Sequence, residues 1–446
     1  MRILIKGGKV LLREEEQFKV TRGDVIVKDK LIDKIILEDG AKTKNNVEHF
    51  DKVIDASDTL VMPGLINAHT HAYMSIFRNY ADDLEFFDWL NSVEVVEDKM
   101  TGEDCYWTSL LSIIEMIKTG TTCFVDMCMK SSIDGVKNGP KSVVSGAVND
   151  SGMRAFIGRG LVDIVGEEGA KRRLNEFLED MKLNVDNERI NYILAPHAPY
   201  SCSHEYLGEI SKVASENNML ATIHVAESET EVKNIKTEFG VTPVKYVDDT
   251  RLFDNPVVIA HAVNLTDKDV KILKEKNVSV AINPRSNMKL GNGFANVQKL
   301  LDAGINICLG TDGSGSNNTQ NMFQEMQFAS LVYKGSAKRA KCMDAEGVLE
   351  AATINGAKAL KMEGHLGELK EGALADIVIL DLNVPEFVPQ NDLVSALCYS
   401  ANGSEVKTVL IDGEVVMEDR IILTLDEKEI YEKCNGIVNR LGMSIE

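Results

Sequence analysis

The sequence predicts an α/β protein: a distorted (β/α)8 barrel of the TIM type, with a small composite β-sandwich assembled from the two ends of the chain. Three observations carry this. Through the middle of the chain, apolar strand-like runs alternate with helical stretches, the pattern of β/α units around a buried parallel sheet. The runs 60–69, 121–126, 154–159, 192–197, 220–224, 257–261, 278–283 and 305–312 number eight, the strand count of that barrel. Most of them stop at a polar residue able to do chemistry: His69 and His71, Asp126, Arg159, His197, His224, His261, Asn283 and Asp312. A parallel barrel builds its active site at the carboxyl ends of its strands, so residues as distant as His69 and Asp312 are expected in one cavity.

From the amino end, residues 3–61 read as short strands: Ile3-Leu4-Ile5, Lys9-Val10-Leu11-Leu12, Asp24-Val25-Ile26-Val27, Lys34-Ile35-Ile36-Leu37 and Lys52-Val53-Ile54. Gly7-Gly8, Asp39-Gly40 and the polar tract 42–46 punctuate them, and Glu14-Glu15-Glu16 fits a hairpin tip. The same texture returns at 375–380 and 406–416. Neither set makes a comfortable core alone, so the two ends are expected to pair. The predicted division is 1–60 with 365–425 for the β-domain, 61–364 for the barrel, and 426–446 for a closing helix.

Bulk properties narrow the function. A chain of 446 residues exceeds one ordinary core, and 44% hydrophobic with 26% charged content suits a globular protein. No run approaches the roughly 18–20 apolar residues that cross a bilayer, and Met1-Arg2-Ile3-Leu4-Ile5-Lys6 turns polar too soon for a signal peptide. A cytoplasmic protein is expected. The formal charge of −20 argues against general binding to a phosphate backbone, which needs a basic face; no nucleic-acid or membrane partner is expected, and a homo-oligomer is compatible with the sequence. The eight cysteines include no C-x-x-C pair and read as reduced and mostly buried, not as zinc ligands.

The chemistry starts at Asn67-Ala68-His69-Thr70-His71. In an extended strand residues i and i+2 point the same way, so both imidazoles leave one face together, as two ligands of one metal ion must. An isolated His-x-His is more often incidental, but this chain has only eight histidines and five of them fall at run ends or just beyond. His224, after Leu220-Ala221-Thr222-Ile223, is the best third ligand, against a packed core histidine. Asp312 offers a carboxylate to complete the shell and accept a proton from water; the alternative is an Asx-type turn in Asp312-Gly313-Ser314-Gly315. Glu227, three residues beyond His224, suits general acid/base work, whereas Glu229 and Glu231 read as a solvated charge cluster at a helix start. His261 is a further ligand or a partner of the attacking water. His49, His204 and His365 carry no such context and are expected on the surface.

These residues reach a known family. Pro63-Gly64-Leu65-Ile66-Asn67-Ala68-His69-Thr70-His71, His224-Val225-Ala226-Glu227, Asn283-Pro284-Arg285-Ser286-Asn287-Met288-Lys289-Leu290 and Gly310-Thr311-Asp312-Gly313 resemble the amidohydrolase superfamily. Within it they resemble the methylthioadenosine/S-adenosylhomocysteine deaminases and the related triazine hydrolases. The resemblance covers nearly the whole chain. It implies one divalent metal ion per subunit, Zn²⁺ or Fe²⁺, held by His69, His71, His224 and Asp312, with His261 near the attacking water. Binuclear relatives add a lysine at the end of the fourth strand; Ile193-Leu194-Ala195-Pro196-His197 has none, which favours one metal.

The resemblance also implies a hydrolytic deaminase of adenosine-type nucleosides that releases ammonia and leaves an inosine-type base. Glu227 would protonate a ring nitrogen and Asp312 would relay a proton to the departing amine. His197 would bind the purine or ribose, Glu97 in Val96-Glu97-Asp98-Lys99 would grip ribose hydroxyls, and Arg159 and Arg173 would face an amino-acid tail. For Arg173 a register one residue earlier, at Arg172, stays open, and Glu97 and Arg173 both read equally as exposed helical charge. Trp89 reads as aromatic helix packing or as a cap over the site. The rivals are a sibling acting on another amino-heterocycle (guanine, 8-oxoguanine, a pterin or a triazine) and a non-catalytic scaffold on the same fold.

Overall fold

The computed structural model describes residues 1–38, 49–129, 143–184 and 186–443. The turn expected at Asp39-Gly40, the polar tract 42–46 and the last three residues of the chain lie outside these. No described helix is long and apolar enough to cross a membrane.

Eight parallel strand positions form the barrel, in two sheets. Leu65–Thr70, Thr121–Cys128, Arg154–Leu161 and a broken fourth strand (Ile190–Tyr192 with Ala195–Pro196) make one; Ala221–Val225, Val257–His261, Ser279–Ile282 and Ile307–Leu309 make the other. The distortion lies at the two seams. Between the fourth and fifth strands a single bridge, Leu194 to Ala221, joins the sheets. Between the eighth and first strands no ladder runs; the Asp312 amide donates to the His69 carbonyl at 2.9 Å, and Asn67 spans the gap with Nδ2 on Thr311 Oγ1 (2.7 Å) and Oδ1 receiving the Thr311 amide (3.0 Å). That seam carries the first histidine pair and Asp312 side by side.

The run 60–69, expected as one strand, is two. Thr59–Pro63 belongs to the terminal sheet, paired with Arg2–Glu14 on one side and Ile377–Asp381 on the other, and the barrel starts at Leu65. Gly64 makes the break: a Cβ there would lie 2.0 Å from Thr122 Oγ1, so only glycine lets the chain turn from one sheet into the other against the second barrel strand.

The two ends of the chain do pair, in one nine-stranded sheet. Ile3, Ile5, Val10, Val25, Val27, Ile54 and Val61 from the amino end share a buried cluster with Ile377, Ile379 and Leu410, so the sheet curls over a common apolar face contributed by both termini. Arg154, buried at the start of the third barrel strand, fastens this sheet to the barrel floor through Asp376 (3.0 and 3.1 Å) and Asp412 (2.9 Å). The closing helix runs Glu427–Leu441 from an Asp426 N-cap and buries Ile430, Cys434 and Ile437, a 4-3 spacing that turns one face inward toward helix Gly102–Lys118.

Candidate active site

At the carboxyl ends of the barrel strands, four side chains converge. His71 Nε2 lies 3.3 Å from His224 Nε2, His224 Nε2 lies 3.2 Å from His69 Nε2, and Asp312 Oδ1 lies 3.6 and 3.4 Å from the Nε2 atoms of His69 and His71. Four ligands about 2.0–2.1 Å from a tetrahedral ion are separated by edges of about 3.3–3.4 Å. The four separations, 3.2 to 3.6 Å, are close to such edges. Proton placement supports the fit: His71 Nδ1 and His224 Nδ1 each face a backbone carbonyl at 2.6 Å, Met127 O and His197 O, so each ring carries its proton on Nδ1 and aims a lone pair from Nε2 into the centre. Two lone pairs 3.3 Å apart with no proton between them repel, and a cation removes the repulsion. Burial, the largest influence, pushes His71 down to about 4 and His224 well below its usual value. Both are neutral at pH 7, as a ligand must be.

Asp312 sits just past the eighth strand at φ +64°, an uncommon conformation for a residue with a side chain. Oδ1 also accepts the Gly313 amide (2.7 Å), while Oδ2 accepts the hydroxyls of Ser286 (2.6 Å) and Ser316 (2.9 Å). Burial alone would raise this carboxyl; the facing histidines outweigh it and hold Asp312 well below the usual carboxylate range. His261, at φ +73° on the end of the sixth strand, has Nδ1 2.8 Å from Asn287 Oδ1. That acceptor keeps the proton on Nδ1 and leaves Nε2 open toward the cavity, 3.6 Å from Glu227 Oε2.

Glu227 is 4% exposed. Burial first, then the charges of Asp312 and Glu231, raise its carboxyl well above the usual value, which favours the protonated form that a general acid needs. Asn292 Nδ2 reaches its Oε1 at 3.2 Å. Glu231, read from the sequence as solvated together with Glu229, is buried (1% exposed), and only Glu229 faces water. The Glu231 carboxylate turns back to accept the amides of Ala226 (3.0 Å) and Glu227 (2.7 Å), and these hydrogen bonds offset the cost of burying it. Ser286, Ser316, Asn287 and Glu231 support the convergent groups and went unassigned in the sequence. For Glu231 a signal exists: Ser228-x-x-Glu231 is the capping-box pattern.

His71, His224 and Asp312 of the cluster, with Glu227 and His261, line a cavity of about 390 Å³, and His69 lies buried behind them; the volume is within the range of small-molecule sites. His197 lines it with Nδ1 on Ser201 Oγ (2.8 Å). Glu97 lines it further out, beside the Tyr73 hydroxyl. Arg173 is the arginine on the wall, whereas Arg172 points to solvent, 74% exposed. Arg159 lies one layer back: its guanidinium is held by the carbonyls of Cys128 (3.3 Å) and Met129 and by Glu176 (3.4 Å), and it is not among the described lining residues. Trp89 both packs and caps, donating to the Gly315 carbonyl at 3.2 Å while facing the cavity. His49, His204 and His365 are exposed.

The sequence profile of the amidohydrolase family matches residues 60–416. The chain belongs to the amidohydrolase family. Among its relatives, a 5-methylthioadenosine/S-adenosylhomocysteine deaminase of Thermococcus sibiricus is 41% identical over 94% of each chain, and a 5'-deoxyadenosine deaminase of Methanosarcina mazei is 39% identical over 98% of each. Among solved structures, an adenosine deaminase from Xanthomonas campestris with bound zinc superposes with a TM-score of 0.92 at 28% identity over 99% of both chains. The triazine hydrolase of Arthrobacter aurescens, with a TM-score of 0.88 at 21% identity over 98% of this chain and 99% of its own, shares the fold.

Proposed function

We propose that this amidohydrolase is a metal-dependent hydrolytic deaminase that converts an adenosine-type nucleoside to its inosine analogue and ammonia. The substrates are 5'-methylthioadenosine, S-adenosylhomocysteine, 5'-deoxyadenosine or adenosine, the compounds named in its relatives. The observation that carries the reading is the buried carboxyl of Glu227, set 3.6 Å from His261 Nε2 and lining the same cavity as His71, His224 and Asp312. An acid poised there can protonate the ring nitrogen of an amino-heterocycle as water attacks the adjacent carbon.

One divalent ion held by His69, His71, His224 and Asp312 supplies the Lewis acidity that makes a water nucleophilic near neutral pH. Zn²⁺ suits the three-imidazole, one-carboxylate set, with Fe²⁺ the alternative. The open Nε2 of His261 accepts a hydrogen bond from the attacking water and orients it. Glu227 gives its proton to N1 as the water oxygen bonds to C6, and Asp312 takes a proton from that water. Asp312 then passes its proton to the 6-amino group, the C6–N bond breaks, and ammonia leaves; the C6 hydroxyl proton returns to Glu227 as the carbonyl forms. Water contributes one proton to ammonia and one to the base, so the exchange balances.

We assign His197 and Glu97 to base and ribose and Arg173 to the 5' tail, with Arg159 bracing the strand end behind it; that His197, Glu97 and Arg173 line the cavity supports this. Eight free, buried cysteines suit a reducing compartment, and we place the enzyme in the cytoplasm. Ammonia release from adenosine, 5'-deoxyadenosine, methylthioadenosine, S-adenosylhomocysteine and guanine tests the reading. Turnover of nucleosides but not guanine is expected; turnover of guanine alone moves the chain to a free-base hydrolase. Metal analysis is expected to return one equivalent, and less than that with no rescue by added Zn²⁺ or Fe²⁺ refutes an enzyme.

A further inference from the structure

We propose that Glu231 is a positioning residue for the deamination, a buried clamp that aims Glu227 through the backbone. The proposal rests on Glu227 as the acid. Glu227 reaches the cavity because the chain leaves the fifth strand through Ala226 at φ +55°, a left-handed conformation that strains an alanine. Something must hold that turn.

Glu231 does so with both oxygens. Oε1 takes the Ala226 amide at 3.0 Å and Oε2 the Glu227 amide at 2.7 Å, one donor on each side of the turn that aims the acid. From the other side the Ala226 carbonyl accepts the amides of Val263 (3.0 Å) and Asn264 (2.9 Å), and the Glu227 carbonyl accepts Asn264 Nδ2 (3.3 Å). The peptide units around Glu227 are therefore gripped from both faces.

The arrangement differs from an ordinary helix cap. Glu231 stands at the third position of helix Glu229–Phe239, whose N-cap Ser228 accepts the Glu231 amide at 3.1 Å. In a capping box the third-position carboxylate reaches back to the N-cap amide alone. Here it feels the Ser228 amide as well, but its two short hydrogen bonds go to the two residues before it. A cap placed to stabilise the helix has no need of those contacts; a clamp on the acid does.

The test compares Glu231→Gln, Glu231→Asp, Ser228→Ala and Glu227→Gln, singly and with Glu231→Gln in the Glu227→Gln background. The side-chain amide introduced by Glu231→Gln would turn an NH2 toward one of the two backbone donors, loosening the turn at nearly constant volume. Expected for Glu231→Gln is a kcat lower by about 10- to 100-fold, with KM, bound metal and affinity for the deaminated product within about threefold of the parent. Glu231→Asp is expected between the two, and Ser228→Ala to keep kcat while losing thermal stability. Because the clamp acts through Glu227, Glu231→Gln should add little to the loss already caused by Glu227→Gln. An unchanged kcat, a loss matched in metal content, or a fully additive double variant overturns the proposal. The substrate is whichever compound the parent deaminates, so failure of the nucleoside reading changes the substrate and leaves this comparison intact.

Discussion

Replacing Arg173 by alanine separates a tail-binding residue from a structural one. Its Nη1 is committed to the carbonyls of Met129 (2.9 Å) and Gly160 (3.0 Å), while its buried Nε has no hydrogen-bond partner among the described residues. An unpaired buried donor on a cationic side chain at a cavity wall is a place for a carboxylate. Burial first, and then the neighbouring Arg159, lower the guanidinium to about 10, so it stays charged at pH 7. A hydrogen bond to a charged group contributes about 1.5–3 kcal/mol. Arg173→Ala should therefore lower kcat/KM for S-adenosylhomocysteine by about 10- to 150-fold and leave adenosine, which has no tail, within about threefold. Arg173→Lys keeps charge but not the fork and should recover part of the loss. The pH dependence has a definite sign: tail affinity is constant where Arg173 is protonated and declines as pH rises through about 10. The assay is steady-state ammonia release on both substrates. Equal losses on the two would refute the tail assignment.

Removing the metal with a chelator should abolish turnover and lower the melting temperature, because an ion present at about 1,000 times its Kd stabilises the fold by about 4 kcal/mol; Zn²⁺ or Fe²⁺ should restore both. Ser286→Ala and Ser316→Ala each leave Asp312 Oδ2 one donor instead of two, and each should reduce kcat by roughly tenfold with KM little changed. Arg154→Met strands Asp376 and Asp412 without their cation and should cost about 3–5 kcal/mol in denaturant unfolding. Glu325, fully buried, is raised by burial from 4.5 to about 7. Below pH 4.5 both folded and unfolded chains hold its proton; between 4.5 and 7 only the folded chain does, so stability falls by about 3 kcal/mol across that window and is flat above it. Asp126 and Glu231 are also raised to about 7 by burial, so Glu325→Gln should lessen the fall in melting temperature across that window, and an unchanged slope counts against the assignment.

The convergent groups were legible for a physical reason. A β/α unit marks its own strand as an apolar run, and the barrel puts functional side chains at one end of every run, so His69, His71, His224, His261 and Asp312 could be located without coordinates of any kind. Glu231 was harder to read: three acidic residues at a helix start look alike, and although Ser228-x-x-Glu231 has the capping-box spacing, only the return of the chain at Ala226 brings its carboxylate onto the Ala226 and Glu227 amides. Arg159 and Arg173 also looked alike. The Met129 carbonyl takes both; Cys128 O and Glu176 draw the first behind the wall, while the second, also on Gly160 O, lines the cavity.

What the sequence by itself determined is the chemistry available: two same-facing imidazoles, further ligands at strand ends, an acid three residues past one of them, and a cavity to receive them. Those follow from local periodicity and from the topology that periodicity implies. The tertiary structure alone decided how the groups are held. Gly64 splits the first run because Thr122 approaches it, Ser286 and Ser316 meet on one oxygen of Asp312 from separate helices, and Glu231 closes on the turn before it. Such contacts depend on distances of a few tenths of an ångström between segments far apart in the chain, and no pattern along the chain encodes them.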